Sequence, residues 1–227
     1  AHLYLSTCNV LGTGGHSTVY RAPLELRLNP DSPVRSRVRV AAKLADTECG
    51  AHGMLRQEAR MYDAFPKAFM EDTGSEVLPA IVPKFFGFYV PLLENGEVFK
   101  ASHEECCGRD NNAACRVYWP SPILLVEECG EPIRPGFMDS EKRCQVHNLF
   151  ERLHDAGFIQ CSPYRRNMLV QPGPLSVPRK ERSMNSSSFR IIDFGRGEAL
   201  SLGCRESWFY GWRDDDVRTA TWVLKGL

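Results

Sequence analysis

Val34-Arg35-Ser36-Arg37-Val38-Arg39-Val40-Ala41-Ala42-Lys43-Leu44 alternates with a period of two. Val34, Val38, Val40, Ala42 and Leu44 fall on one side, and Arg35, Arg37, Arg39, Ala41 and Lys43 on the other, which is the pattern of a strand with one buried face. The arginines on the second face are solvated, and by default Lys43 is too. The period then changes. Ala51 to Phe65 is predicted to be a helix ending at Pro66. Met54, Glu58, Met61 and Phe65 sit at i, i+4, i+7 and i+11, a single stripe on one helix face. A carboxylate inside an apolar stripe is costly to bury unpaired, so Glu58 requires a cation.

Upstream, Leu3 to Val10 reads as a strand running into Leu11-Gly12-Thr13-Gly14-Gly15-His16-Ser17-Thr18-Val19-Tyr20, where three glycines allow a tight backbone between two strand-like segments. Downstream, Pro79 to Val90 and Ile123 to Val126 read as strands, the second apolar throughout and therefore central. Pro91 to Pro120 reads as an extended hairpin or loop insertion. The composition changes after Cys129-Gly130. Asp139 to Ala156 is predicted to be a helix with Val146, Leu149, Phe150 and Leu153 on its apolar face and Gly157 as its stop. Met168 to Val170 and Phe189 to Ile192 form a short strand pair, separated by a mobile Pro- and Ser-rich stretch from Gln171 to Ser188. Asp214 opens a last helix with three aspartates at its N-terminus. There is no internal repeat.

The chain has 227 residues, with 28 Lys+Arg against 28 Asp+Glu. A net charge of zero argues against a general nucleic-acid or anionic-membrane binder. No apolar run is long enough to span a membrane, and Ala1 to Val10 lacks the pattern of a secretory signal. A first residue of Ala rather than Met implies processing or a fragment. Nine scattered cysteines read as reduced thiols, so an intracellular, cytoplasmic location is expected. His103, Cys106, Cys107 and Cys115 cluster without the C-x-x-C spacing of a zinc site, and a solvent-facing hairpin is the expected reading.

Taken in order, the glycine loop, the strand with Lys43, the helix with Glu58, the apolar strand, a loop with Asn167 and then Ile191-Ile192-Asp193-Phe194-Gly195 resemble the protein kinases, of the eukaryotic Ser/Thr type. Gly12-x-Gly14-x-x-Ser17-x-Val19 matches two glycines of the family's three, with Ser17 in place of the last. Val40-Ala41-Ala42-Lys43 resembles the strand whose Lys holds the α- and β-phosphates of ATP and pairs with the helix Glu. The resemblance therefore gives Glu58 its cation. It also implies that Ala41 faces the adenine and that Val126-Glu127-Glu128-Cys129 is the hinge, with Val126 as gatekeeper. Asp193 and Asn167 would hold Mg²⁺. The implied fold is α+β and two-lobed: residues 1–129 as an antiparallel sheet plus one helix, with 91–120 as an insertion, and 130–227 as a shortened, mainly helical lobe. Asp216-Val217-Arg218 resembles the start of the large helix whose Asp ties down the catalytic loop, with only Thr219 to Leu227 following.

The catalytic loop departs from the family. Ile159-Gln160-Cys161-Ser162-Pro163-Tyr164-Arg165-Arg166-Asn167 carries Gln160, Cys161 and Ser162 where H-R-D is expected. A hydroxyl does not accept a proton at neutral pH as a carboxylate does, and a positioned base is worth roughly 10²–10⁴-fold. Arg165 or Arg166 either steadies the γ-phosphate or is plain surface. The expected function is thus an ATP- and Mg²⁺-binding, pseudokinase-like protein with impaired phosphoryl transfer, acting on a protein substrate or through a protein partner. Three other readings stay open: an active Ser/Thr kinase with an unconventional base, a small-molecule kinase of the aminoglycoside type, and an interaction module that binds no nucleotide.

Overall fold

The alternating stretch forms an eleven-residue strand, Arg35–Ala45, that organises an antiparallel sheet. The structure, a computed structural model, describes residues 1–27, 35–71, 78–98, 115–117, 119–175 and 177–226. In chain order the strands and helices are β1 (His2–Leu3), β2 (Val10–Thr13), β3 (Ser17–Arg27), β4 (Arg35–Ala45), α1 (Cys49–Ala64), β5 (Phe85–Tyr89), β6 (Ile123–Glu127), β7 (Glu131–Pro132), α2 (Ser140–Asp155), β8 (Phe158–Ile159), β9 (Met168–Gly173), β10 (Ser183–Ile191), β11 (Glu198–Ala199) and α3 (Glu206–Leu224). The fold is mixed α+β, with three α-helices among the described residues. Two compact units divide the chain, one of residues 1–59 and 85–128, the other of residues 60–84 and 129–227.

In the first unit the strands run in the order β1-β3-β4-β6-β5, with β2 also paired to β3. The apolar side of β4 does what its spacing demands. Val40 and Ala42 join Ala22, Leu24 and Leu125 in a buried cluster, with Val38 and Leu44 packed against it. Val34 lies outside the described residues. Arg37 and Arg39, of opposite parity, are exposed. β6, apolar from Ile123 to Val126, lies between β4 and β5, with Ala41 opposite Val126 and Lys43 opposite Leu124.

In the second unit α2 is capped by Asp139, whose side chain accepts from the Lys142 amide at 2.8 Å, and it ends at Gly157 with φ +81°. Its buried face is Val146, Leu149, Phe150 and Leu153. Phe65 packs on Phe158 and Phe194 at centroid distances of 4.9 and 4.8 Å. Strand order in the three-stranded sheet is β10-β9-β7. Gly130, just before β7, has φ +82°, and a Cβ there would lie 2.2 Å from the Val170 carbonyl oxygen. Only glycine fits that position.

Several expectations are corrected. Leu3 to Val10 is not one strand: β1 ends at Leu3, and a 3₁₀ turn over Thr7–Asn9, capped by Ser6, precedes β2. Only Phe85–Tyr89 of the 79–90 stretch is strand, because Ile81 and Val82 instead direct their amides to the Phe69 carbonyl. The stretch from Gln171 to Ser188 is not a simple linker. β9 runs on to Gly173 and β10 begins at Ser183, with Ser183 opposite Gly173. Nor do the aspartates 214–216 open a helix, since α3 begins at Glu206 and carries them in its interior. Of the 91–120 stretch, Leu92 and Val98 form an isolated bridge. His103, Cys106 and Cys107 lie outside the described residues, whereas the Cys115 carbonyl accepts from the Cys49 amide at 2.8 Å.

Candidate functional site

Opposite parity on β4 sends Ala41 and Lys43 away from the buried cluster. Lys43 Nζ donates to Glu58 Oε2 at 2.6 Å. The side chains are 15% and 4% exposed, so the carboxylate in the middle of the apolar stripe of α1 meets its cation in a largely dehydrated setting. Such a pair is kept by geometry: removing either partner strands a buried charge. Along β3, Val19 lies opposite both Lys43 and Gly12. The turn between β2 and β3 is closed by the Gly14 amide donating to the Ser17 carbonyl at 2.8 Å. Around Gly12 nothing lies within 4 Å of where a Cβ would stand, and at Gly14 the nearest atom is 3.7 Å away. The glycines are therefore not required by packing; they leave a low, open stretch of backbone over this part of the sheet. Ala41 is buried, as is Val126, its partner across the β4–β6 ladder. Glu127 lies opposite Val40. The neighbouring Glu128 accepts from Arg21 Nε at 2.8 Å, a pairing with no sequence signal beyond opposite charge.

In the second unit the segment 159–167 is held by a set of buried hydrogen bonds. Gln160 is fully buried. Its Nε2 donates to the Ile192 and Asp193 carbonyls at 2.9 and 3.0 Å, and its Oε1 accepts from the Ser162 amide at 2.7 Å. One carboxamide thus joins two segments with two donors and one acceptor, a set that a neutral imidazole, with one of each, cannot supply. Asn167 Nδ2 donates to the Ser162 carbonyl at 2.9 Å, and the Ile192 amide donates to the Asn167 carbonyl at 2.9 Å. These bonds bring Ser162, Asn167 and Asp193 into one connected group. Cys161 and Asp193 both adopt left-handed backbone, at φ 61° and 65°. For residues other than glycine this costs about 1–3 kcal/mol each, and it collects where surrounding structure enforces a particular side-chain direction. Arg165 and Arg166 are exposed, and the Arg166 guanidinium lies over the Tyr164 ring at 4.8 Å.

Asp216 anchors the same loop from α3. Its Oδ2 accepts from the Gln160 amide at 3.2 Å and from His154 Nε2 at 3.1 Å. Both side chains of the Asp216–His154 pair are 1% exposed. His154, on the last turn of α2, is a partner the sequence did not disclose, since one histidine on a helix face has no distinguishing pattern.

Burial, with the nearby Asp216 and Glu198 carboxylates adding to it, pushes the Cys161 thiol up to about 12. Both causes disfavour the thiolate, which is the nucleophilic form. Near pH 8 only about 10⁻⁴ of Cys161 would be ionised. Iodoacetamide is therefore expected to label it at least about tenfold more slowly than the exposed Cys8, with a rate that rises about tenfold per pH unit until the pH nears 12. Mass-spectrometric labelling rates on the folded chain measure this, and fast labelling of Cys161 at neutral pH contradicts the upward shift of that thiol's pKa.

No protein-family model matches the chain, and comparison with curated proteins finds no match. Among the described residues no helix is long and apolar enough to cross a membrane, and no group of three or more His, Cys, Asp or Glu side chains is arranged to hold a metal ion.

Proposed function

We propose that the chain is a protein-kinase-like, nucleotide-binding protein whose phosphoryl transfer is weakened at Ser162. The finer architecture belongs to the same proposal, with the first unit as the sheet-rich lobe of that fold and the second as a shortened helical lobe. The observation that carries the reading is the Lys43–Glu58 pair at 2.6 Å. A lysine held by a buried carboxylate has a fixed direction, as a phosphate ligand must. The open glycine turn of Gly12 and Gly14 supports the reading, because approach of backbone amides to phosphates needs the absence of side chains. Ala41 and Val126, small or apolar and adjacent on one sheet face, suit a flat base. Glu127 and Cys129 would offer backbone groups to its edge.

Magnesium is part of the proposal. Hard divalent cations take oxygen donors. Asn167 commits its Nδ2 to Ser162, leaving its side-chain oxygen as the donor atom, and Asp193 supplies a carboxylate. Two protein oxygens match the habit of Mg²⁺ in nucleotide sites, where phosphate oxygens and water complete the shell. When bound, the ion would neutralise phosphate charge. The chain's own residues would orient the nucleotide through Lys43 and the glycine turn and hold an acceptor hydroxyl at Ser162. No residue at position 162 takes up its proton.

Calorimetric titration with ATP, with and without Mg²⁺, tests the reading on the wild type and on Lys43→Ala. Binding that depends on Mg²⁺ and weakens at least about tenfold in the variant is expected. Absence of binding under both conditions would overturn the proposal and favour an interaction module.

A further inference from the structure

Cys49 and Cys115 are far apart in the chain and adjacent in the first unit. Glu48 and Arg116 form an isolated antiparallel bridge. Two backbone bonds bracket it: the Cys49 amide donates to the Cys115 carbonyl at 2.8 Å, and the Val117 amide to the Thr47 carbonyl at 2.6 Å. The antiparallel register makes Cys49 and Cys115 the next opposed pair. A direct amide-to-carbonyl bond between opposed residues sets their Cα atoms about 5.5 Å apart, inside the range of about 4.4–6.8 Å that a disulfide spans. Opposed side chains also leave the same face of a ladder. The two segments are fastened on either side of the pair, since Val117 is buried and the Ala45 amide donates to Ser121 Oγ at 2.8 Å. Both cysteines stand as thiols and both are half-buried, so a small oxidant reaches them. Among the described residues, no other two cysteines are joined by a backbone hydrogen bond.

We propose that Cys49 and Cys115 are an oxidative modification site, a dithiol that a hydroperoxide closes to a disulfide and a thiol reductant reopens. In the first step one thiol, as its thiolate, attacks a peroxide oxygen. The O–O bond breaks, an S–O bond forms, and hydrogen peroxide leaves one water and a sulfenic acid. In the second step the other thiol attacks that sulfur. The S–S bond forms, the S–O bond breaks, and a second water departs. Two thiols and one peroxide thus give one disulfide and two waters, with two electrons passing from sulfur to oxygen. Because the backbone already holds the pair opposed, closure asks for side-chain rotation and no displacement of the chain. The bond would fasten the first residue of α1, the helix that carries Glu58, to the segment leading into β6. It involves no nucleotide and stands apart from the nucleotide reading.

The test uses the full chain, reduced and then exposed to hydrogen peroxide at neutral pH, with remaining thiols blocked by N-ethylmaleimide before digestion. Mass spectrometry without reductant is expected to find the Cys49 peptide linked to the Cys115 peptide. That link should be at least about tenfold more abundant than any other pairing, because a pair already held together reacts at a high effective concentration. Dithiothreitol should remove it. Closing so long a loop constrains the unfolded chain, so the oxidised wild type is expected to unfold at least about 5 °C above its reduced form. Cys49→Ser and Cys115→Ser, shown to be folded by the melts of their reduced forms, should display neither the link nor the rise. Peptide mapping of the wild type is decisive by itself if a variant does not fold. Separate oxidation of the two cysteines in the folded wild type would overturn the proposal. So would a predominant link from either to another cysteine, or a Cys49–Cys115 link that forms only in urea.

Discussion

Ser162→Asp is expected to raise phosphoryl transfer from ATP by about 10²–10⁴-fold, the worth of a positioned general base. Position 162 is prepared for such a side chain. Its amide is fixed by Gln160 Oε1, its carbonyl by Asn167 Nδ2, and the residue is 5% exposed. In a loose transition state, positioning and electrostatics supply most of the catalysis, so under the proposed reading a basal rate is expected of the wild type, against which the gain is read. Single-turnover conversion of ATP, with enzyme in excess, measures it. A variant that binds ATP as well as the wild type and turns over no faster would show that more than a base is missing. The introduced carboxylate joins Asp216 and Glu198 nearby, so some loss of thermal stability is expected alongside the gain.

The second large effect concerns Lys43 and Glu58. Lys43→Met leaves Glu58, 3% exposed, without this cation, and is expected to destabilise the fold by about 3–5 kcal/mol. Lys43→Met/Glu58→Leu replaces the pair with apolar side chains of similar size and is expected to recover most of that loss, because buried ion pairs seldom exceed hydrophobic replacements in net stability. Nucleotide affinity should fail to recover in the double variant. Urea unfolding and ATP calorimetry on the two variants and the wild type give both readouts. Full recovery of stability together with ATP binding would remove Lys43 from the proposed site. Equal loss in single and double variants would mean that the pair is not coupled.

Where the sequence was legible, one side chain carried one clear physical demand. β4 was readable because its alternation has only one satisfactory burial, and α1 because Glu58 was the wrong residue for its stripe unless a cation stood opposite. Legibility failed where structure is imposed from a distance. Ser183 to Ser188 have weak strand preference, yet they belong to β10, which pairs with β9. Glu206 to Trp212 crowd aromatic residues around the whole helix circumference, so no stripe marks the first turns of α3, and its N-cap residue Arg205 makes no side-chain cap. The bond from the Gln160 amide to Asp216 has the form that the resemblance implied for the helix Asp that ties down this loop. The helix start at Glu206 and the partner His154, 62 positions earlier, had no local signal.

The carboxamide of Gln160 has a consequence for acidity. The joint it makes between 160–162 and 192–193 contains no group that gains or loses a proton between pH 5 and 8, the interval in which an imidazole would change both its charge and its donor count. The segment carrying Ser162 and the segment carrying Asp193 are thus fastened by a rivet that does not titrate, and a mildly acidic environment leaves that fastening as it is at neutrality.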